Sequence, residues 1–138
     1  MKVLLINGRP KKEGCTYTAL KEVADELERN GVETEIFHIG TAPVKGCMGC
    51  GYCAKTGNHQ CVYNDDTLNE AILKAKDADG FVFGSPVHYA SASGAITSFL
   101  DRLFYAGYPM PHKPGAAVVS CRRGGATAAL DQLNKYFT

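Results

Sequence analysis

The period of the apolar positions changes along the chain, and each change marks an element. Val3-Leu4-Leu5-Ile6 is a short continuous apolar run, β-branched and leucine-rich, as a strand buried on both faces requires. From about Tyr17 to Asn30 the spacing turns helical: Leu20, Val23, Ala24 and Leu27 fall at i, i+3, i+4 and i+7. Asn30-Gly31 is a stop signal for that helix. Thr34 to Ile39 reads as a second strand. A second helix starts near Asp65-Asp66-Thr67, where Thr67 and Glu70 have capping-box spacing, and Leu68, Ala71, Ile72 and Ala75 form its apolar face. Gly80 to Gly84 is a third strand, followed by a helix with Ile96, Phe99, Leu100 and Leu103 on one side. Tyr105 to Pro114 is rich in turn residues. Gly115 to Ser120 is a fourth strand, and a last helix from near Ala126 carries Leu130, Leu133 and Phe137.

Strands alternating with helices imply a parallel sheet with right-handed crossovers and helices on both faces. Ligands of such sheets bind at the carboxyl ends of the strands. Three unusual loops follow strands one, three and four, so they gather at one edge of the sheet.

Composition narrows the classes. The 138 residues suffice for one domain, and 45% hydrophobic with 21% charged residues is globular. Lys plus Arg is 15 and Asp plus Glu is 14, a formal net charge of +1, which gives no support for a nucleic-acid or anionic-membrane partner. No apolar run approaches a membrane span, and the N-terminal run is too short for a signal peptide. The expected compartment is the cytoplasm, where six cysteines are reduced, metal-binding or redox-active rather than structural disulfides.

The first loop carries the densest chemistry. Asn7-Gly8-Arg9-Pro10-Lys11-Lys12-Glu13-Gly14-Cys15-Thr16 offers glycines, cations and a hydroxyl at a helix start. Free backbone N–H groups there, with nearby cations, seat a phosphate dianion. The plainer alternative is a βα loop capped by Thr16. A dinucleotide fingerprint needs a third glycine, and a Walker loop needs G-K-[ST], so a mononucleotide such as FMN suits the loop better. The convergence of three loops on one edge favours the phosphate reading.

These loops resemble those of the flavodoxin-like family of NADPH-dependent FMN reductases and iron–sulfur flavoproteins. Gly8, Pro10, Gly14 and Thr16 are similar to that family's G-S-P-R-x-x-G-N-T signature, with Lys11 at the Arg position. Arg9 stands in place of Ser and Cys15 in place of Asn. Gly84-Ser85-Pro86-Val87-His88-Tyr89, Ser93-Gly94 and Phe99-Leu100-Asp101-Arg102 look like its G-S-P-V-Y-Y…S-G…F-L-D-R run, with His88 for a Tyr. Ser120-Cys121-Arg122-Arg123-Gly124-Gly125 is similar to its strand-four loop. The resemblance implies FMN held by Arg9, Lys11, Gly14, Cys15, Thr16 and Tyr17 at the phosphate. Pro86, Val87, His88, Tyr89, Ser93 and Gly94 would lie beside the isoalloxazine, with Ser120, Arg122, Gly124 and Gly125 opposite. For His88 and Arg122 the alternative is a solvent-facing side chain, and for Tyr89 a surface-packing aromatic. Cys15 and Cys121 read as small loop residues near the flavin.

The resemblance also implies a three-layer α/β/α fold over residues 1–138, its parallel sheet in the order 2-1-3-4. Family members continue with a fifth strand and a last helix, so the fifth edge strand is expected to be missing. An open edge at strand four and the run Phe104-Tyr105 to Tyr108 suggest a homodimer or homotetramer.

Gly40 to Tyr63 is long for a loop in a small domain and holds Cys47, Cys50, Cys53 and Cys61 at C-x2-C-x2-C-x7-C spacing. Three thiols at that pitch wrap one face of a cubane and a fourth closes it, so a [4Fe-4S] cluster is one expectation. Unmetallated thiols are another, and zinc, which prefers two separated pairs, is a third. The function expected is an FMN-dependent oxidoreductase passing electrons from NAD(P)H to a small acceptor. The alternative is an iron–sulfur flavoprotein serving redox proteins. No side chain is expected to act as catalytic acid or base, because the flavin carries the chemistry.

Overall fold

The computed structural model describes residues 1–138. β1 (Lys2–Asn7) leads through the first loop into α1 (Cys15–Arg29), then β2 (Glu33–His38). A long segment with one short helix, α2 (Tyr52–Thr56), precedes α3 (Leu68–Asp77). β3 (Gly80–His88), β4 (Ser91–Ala92), α4 (Gly94–Ala106), β5 (Gly115–Ser120) and α5 (Ala126–Asn134) complete the order, closed by a 3₁₀ turn, Lys135–Phe137.

The sheet is parallel in the order β2-β1-β3-β5, with Leu5 opposite both Ile36 and Val82, and Val82 opposite Ala116. β4 folds back antiparallel on the end of β3, pairing Val87 with Ala92 and His88 with Ser91. Two expectations change. The outer parallel strand is fifth in the chain, because a hairpin strand precedes it. The sheet therefore has five strands, not four, although the extra one is two residues long. β3 also runs to His88, four residues beyond the expected end at Gly84, because the parallel pairing with β5 continues to Pro86 opposite Ser120.

Alternation along β1 sorts the core into two faces. Val3 and Leu5 join Val82 beneath Leu20 and Ala24 of α1. Leu4 and Ile6 join Phe81 and Phe83 beneath α3, α4 and Leu133 of α5. Each fully buried Leu or Phe contributes about 1.5–3 kcal/mol over an exposed one. Gly84 sets how closely α1 lies on the sheet: a Cβ there would stand 2.6 Å from Leu20 Cδ1 and 3.0 Å from Thr16 Cγ2. That approach brings the start of α1 to the carboxyl edge.

Helix starts depart from the sequence reading. The capping box at Thr67 does not form. Its hydroxyl donates to the Ile39 carbonyl (3.0 Å), while Asp66 Oδ1 accepts from Leu68 N–H (3.1 Å). α1 is capped by Gly14 without a side-chain bond, so Thr16 is not its cap. Phe137 lies beyond α5 in the 3₁₀ turn, stacked on Phe83 at 4.8 Å between centroids. Of the run from Phe104 to Tyr108, only Tyr105 is strongly exposed. Phe104 stacks on Tyr136 and Tyr108 on His59. No helix is long and apolar enough to cross a membrane.

Candidate functional site

Asn7 ends β1 fully buried and shapes the first loop. Its Nδ2 donates to the Lys12 carbonyl (3.0 Å) and its Oδ1 accepts from Arg9 N–H (3.2 Å). From β2, His38 Nε2 donates to the Arg9 carbonyl (2.7 Å). Neither residue was singled out from the sequence. An Asn just before the Gly-Arg-Pro turn was the available signal for the first, since Asn bonds its own backbone two residues on. Nothing local pointed to His38.

The shaped loop delivers two features to the start of α1. The first intrahelical bond runs from Thr18 N–H to Gly14 O (2.9 Å), and the N–H groups of Cys15, Thr16 and Tyr17 have no acceptor in the protein. Arg9 lays its guanidinium against Gly14, where an added Cβ would stand 2.7 Å from Nε. Arg9 Nε is buried without a hydrogen-bond partner. A buried donor without a partner is costly, and here it sits beside three free N–H groups at a helix N-terminus.

These features open on a cavity of about 530 Å³ at the carboxyl edge of the sheet. The first loop contributes Arg9, Pro10, Lys11 and Cys15. The end of β3 contributes Pro86, Val87 and His88, and the β5–α5 loop contributes Ser120, Cys121 and Arg122. The volume falls within the range of small-ligand sites. Free donors, an unpartnered guanidinium and space beside them fit a phosphorylated, flat cofactor such as FMN.

The other expected site residues stand around this cavity rather than in its wall. Thr16 is fully buried, and its hydroxyl shares a 2.7 Å hydrogen bond with Ser120 Oγ, tying α1 to β5. Tyr17 is half-buried in the first turn of α1. Ser93 is buried as the cap of α4: Oγ accepts from Ile96 N–H and donates to the Gly8 carbonyl, bracing the first loop from behind. Gly94 opens α4, and Gly124 is open to solvent. Gly125 caps α5 at φ 93°, with Val87 Cγ1 only 2.8 Å from the place of a Cβ, so a side chain is excluded twice over. Tyr89 is fully exposed at the hairpin tip with φ 62° and does not line the cavity. A two-residue hairpin demands a positive φ there whatever the residue, so the aromatic reading of Tyr89 met a turn requirement the sequence did not announce.

The cysteine loop forms a second cavity of about 490 Å³, bordered by Cys47, Cys50, Cys53 and Cys61 with Tyr52, Tyr63 and Tyr105. Arg102 of α4 anchors it. Nε donates to Cys61 Sγ (3.2 Å), Nη1 to the Lys45 carbonyl (3.3 Å), and the guanidinium pairs with Asp66. Burial opposes the Arg102 charge, but the bonds to Asp66 and Cys61 more than offset it and hold its pKa above the ordinary value. Asn69 clamps the Cys61 backbone in both directions, at 2.8 and 3.0 Å. Cys47 and Cys50 are exposed, while Cys53 and Cys61 are half-buried. No three His, Cys, Asp or Glu side chains are gathered so as to hold a metal ion. The four thiols share a cavity but do not converge, and as they stand they do not fit a cluster.

Comparison with known proteins agrees with this architecture. The model of the NADPH-dependent FMN reductase family matches residues 1–138. An iron–sulfur flavoprotein of Methanocaldococcus jannaschii is 32% identical over 141 residues, covering 99% of this chain and 72% of its own length. An iron–sulfur flavoprotein of Archaeoglobus fulgidus is 33% identical over 141 residues, covering 99% of this chain and 68% of its own. The crystal structure of RosB with bound 8-demethyl-8-formylriboflavin-5′-phosphate superposes with a TM-score of 0.77 at 15% identity, over 99% of this chain and 58% of that one. At that identity the likeness speaks for the fold. The family match spans every loop that frames the cavity, and on it the chain belongs to the NADPH-dependent FMN reductase family.

Proposed function

We propose that the protein is an FMN-dependent oxidoreductase that takes electrons from NAD(P)H and passes them to a small-molecule acceptor. The observation that carries this reading is the juxtaposition at the head of α1: three free N–H groups and the unpartnered Arg9 Nε, opening on the three-loop cavity. In this reading the N–H groups of Cys15, Thr16 and Tyr17, with Arg9 and Lys11, hold the phosphate, and Gly14 gives Arg9 room to lie there. Pro86, Val87 and His88 on one side, and Arg122 on the other, border the ring, while Ser120, bonded to Thr16, turns its hydroxyl to the phosphate. Ser93, Gly94, Gly124 and Gly125 act from behind, setting the loops that carry those contacts. Bound FMN supplies hydride acceptance and electron transfer, while the protein supplies placement and positive charge.

The test is anaerobic NADPH and NADH oxidation by the FMN-loaded protein with a quinone acceptor. Turnover dependent on both FMN and acceptor is the expected result. Absence of oxidation with either nucleotide rejects the reading.

A second reading, an iron–sulfur flavoprotein electron carrier serving redox proteins, is favoured by one observation: all four cysteines of the loop border a single cavity. It requires the thiols to draw together. Iron and acid-labile sulfide after anaerobic reconstitution, compared with Cys50→Ser, decide it. A homodimer or homotetramer belongs to the same proposal, supported by the exposed Met48, Val62 and Tyr105 around that loop. A monomer mass by light scattering at high concentration opposes it.

A further inference from the structure

Two of the six cysteines lie outside the metal-type motif, and the fold brings them to the same place. Cys15 is the first residue of α1 and Cys121 is the first residue after β5. They are far apart in sequence, yet both are exposed free thiols and both line the 530 Å³ cavity. Their neighbours Thr16 and Ser120 are in direct contact through a 2.7 Å hydrogen bond, so the two thiols flank a fixed point where α1 meets β5. The segment that carries Cys121 has room to adjust: Gly124, three residues on, has nothing within 4 Å of an added Cβ. Arg9, Lys11 and Arg122 line the same cavity. Exposure among cations is the setting in which cysteines react.

We propose that Cys15 and Cys121 are a redox-responsive thiol pair that closes the cavity by forming a reversible disulfide. The oxidant is a small anionic disulfide, drawn by the cations at the mouth. The Cys15 thiolate attacks one sulfur of that disulfide, breaking its S–S bond and releasing one small thiol. The Cys121 thiolate then attacks Cys15 Sγ, forming the protein disulfide and releasing the second small thiol. Two protein thiols lose two electrons and two protons, and the small disulfide gains both as two thiols. Cys15 is the first nucleophile because Cys121 Sγ is engaged with the Arg123 carbonyl at 3.5 Å. The bond staples the first loop to the β5–α5 loop across the seat proposed for the FMN phosphate. Its effect on cofactor binding rests on that assignment, while its formation does not.

The experiment uses the apoprotein and oxidised glutathione. After blocking free thiols, trypsin releases Cys15 in residues 13–21 and Cys121 in residues 103–122, where the Lys113-Pro114 bond resists cleavage. Cys47, Cys50 and Cys53 fall together in residues 46–55, and Cys61 falls in 56–74. Peptide mass spectrometry is expected to show 13–21 joined to 103–122, and the pair is expected to separate on reduction. Disulfides confined to 46–55 and 56–74 would overturn the proposal. FMN titration then reads the consequence. When about nine-tenths of the protein is cross-linked, the FMN bound at saturation falls about tenfold, because the covalently closed fraction does not reopen during the titration. In Cys121→Ser the same oxidant is expected to stop after the first step, leaving peptide 13–21 with one glutathione attached and no cross-link. A cross-linked wild type that binds FMN as before treatment overturns the closure. A reduced protein that binds no FMN overturns the cofactor reading instead, which the cross-linked peptide reports on separately.

Discussion

At the scale of single residues, the Thr16–Ser120 pair decides how the phosphate seat is read. Two hydroxyls 2.7 Å apart use one proton between them, and the second remains free to donate. Thr16 is fully buried while Ser120 lines the cavity, so the free proton is presented from Ser120 with Thr16 orienting it. Thr16→Val and Ser120→Ala are each expected to weaken FMN binding by about ten- to a hundredfold, the worth of a hydrogen bond to a charged group. The double variant is expected to be no weaker than the worse single one, because each change breaks the same relay. Calorimetric titration checks this, and additive losses would mean that the two act separately. Thr16 was legible in the sequence as a hydroxyl at a helix start. Its partner was not, because a contact between residues so far apart in the chain leaves no local pattern. Arg9 shows the converse. It read as a departure that removed a small polar group, and the structure supplies a guanidinium against Gly14 in its place.

At the scale of elements, two charge arrangements hold the frame. Arg102 and Asp66 tie α4 to the cysteine loop with side chains only 1% and 4% exposed. Removing one partner strands the other charge in the interior. Asp66→Ala is therefore expected to cost about 3–5 kcal/mol in urea unfolding. A loss below about 1 kcal/mol would place the pair in the class of surface ion pairs. Glu35 of β2 accepts from Lys74 of α3 (2.6 Å) and Lys2 of β1 (2.9 Å). The Lys74 bond first, and the Lys2 bond next, hold its carboxyl below the ordinary value. A depressed carboxyl stabilises the fold above its unfolded pKa, and that contribution is lost as pH falls through the lower folded value. Glu35→Gln is accordingly expected to be less stable than wild type at pH 7. The gap should close in acid, read from urea midpoints across the carboxylate range. An unchanged gap in acid would assign the loss to packing.

At the scale of the whole molecule, the parallel sheet and its helices were legible because β1, β3 and β5 are short apolar runs and each long helix keeps a 3.6-residue period. The β4 hairpin was not, since two residues carry no period. Nor was the five-residue α2, set among glycines at 51 and 57 that mark its ends by left-handed φ. The site was legible as far as chain topology reaches. Loops after β1, β3 and β5 must share one edge, and they do. What topology could not supply was direction, so Tyr89 points to solvent and the four loop cysteines border a cavity without converging. Charge obeys the same division. The chain is nearly neutral overall, yet the first and last site loops hold Arg9, Lys11, Lys12, Arg122 and Arg123 against Glu13 alone. Such a concentration of one sign at a cleft favours an anionic ligand.

The central claim is that the head of α1 is a phosphate seat, and one comparison addresses it directly: the affinities of the apoprotein for FMN and for riboflavin, titrated side by side under reducing conditions. The two share the ring and the ribityl chain and differ in the phosphate. Free N–H groups and Arg9 bonding a dianion should favour FMN by about 3 kcal/mol or more, upward of about a hundredfold. Equal affinities would contradict the account, leaving the donors at the head of α1 without the ligand assigned to them.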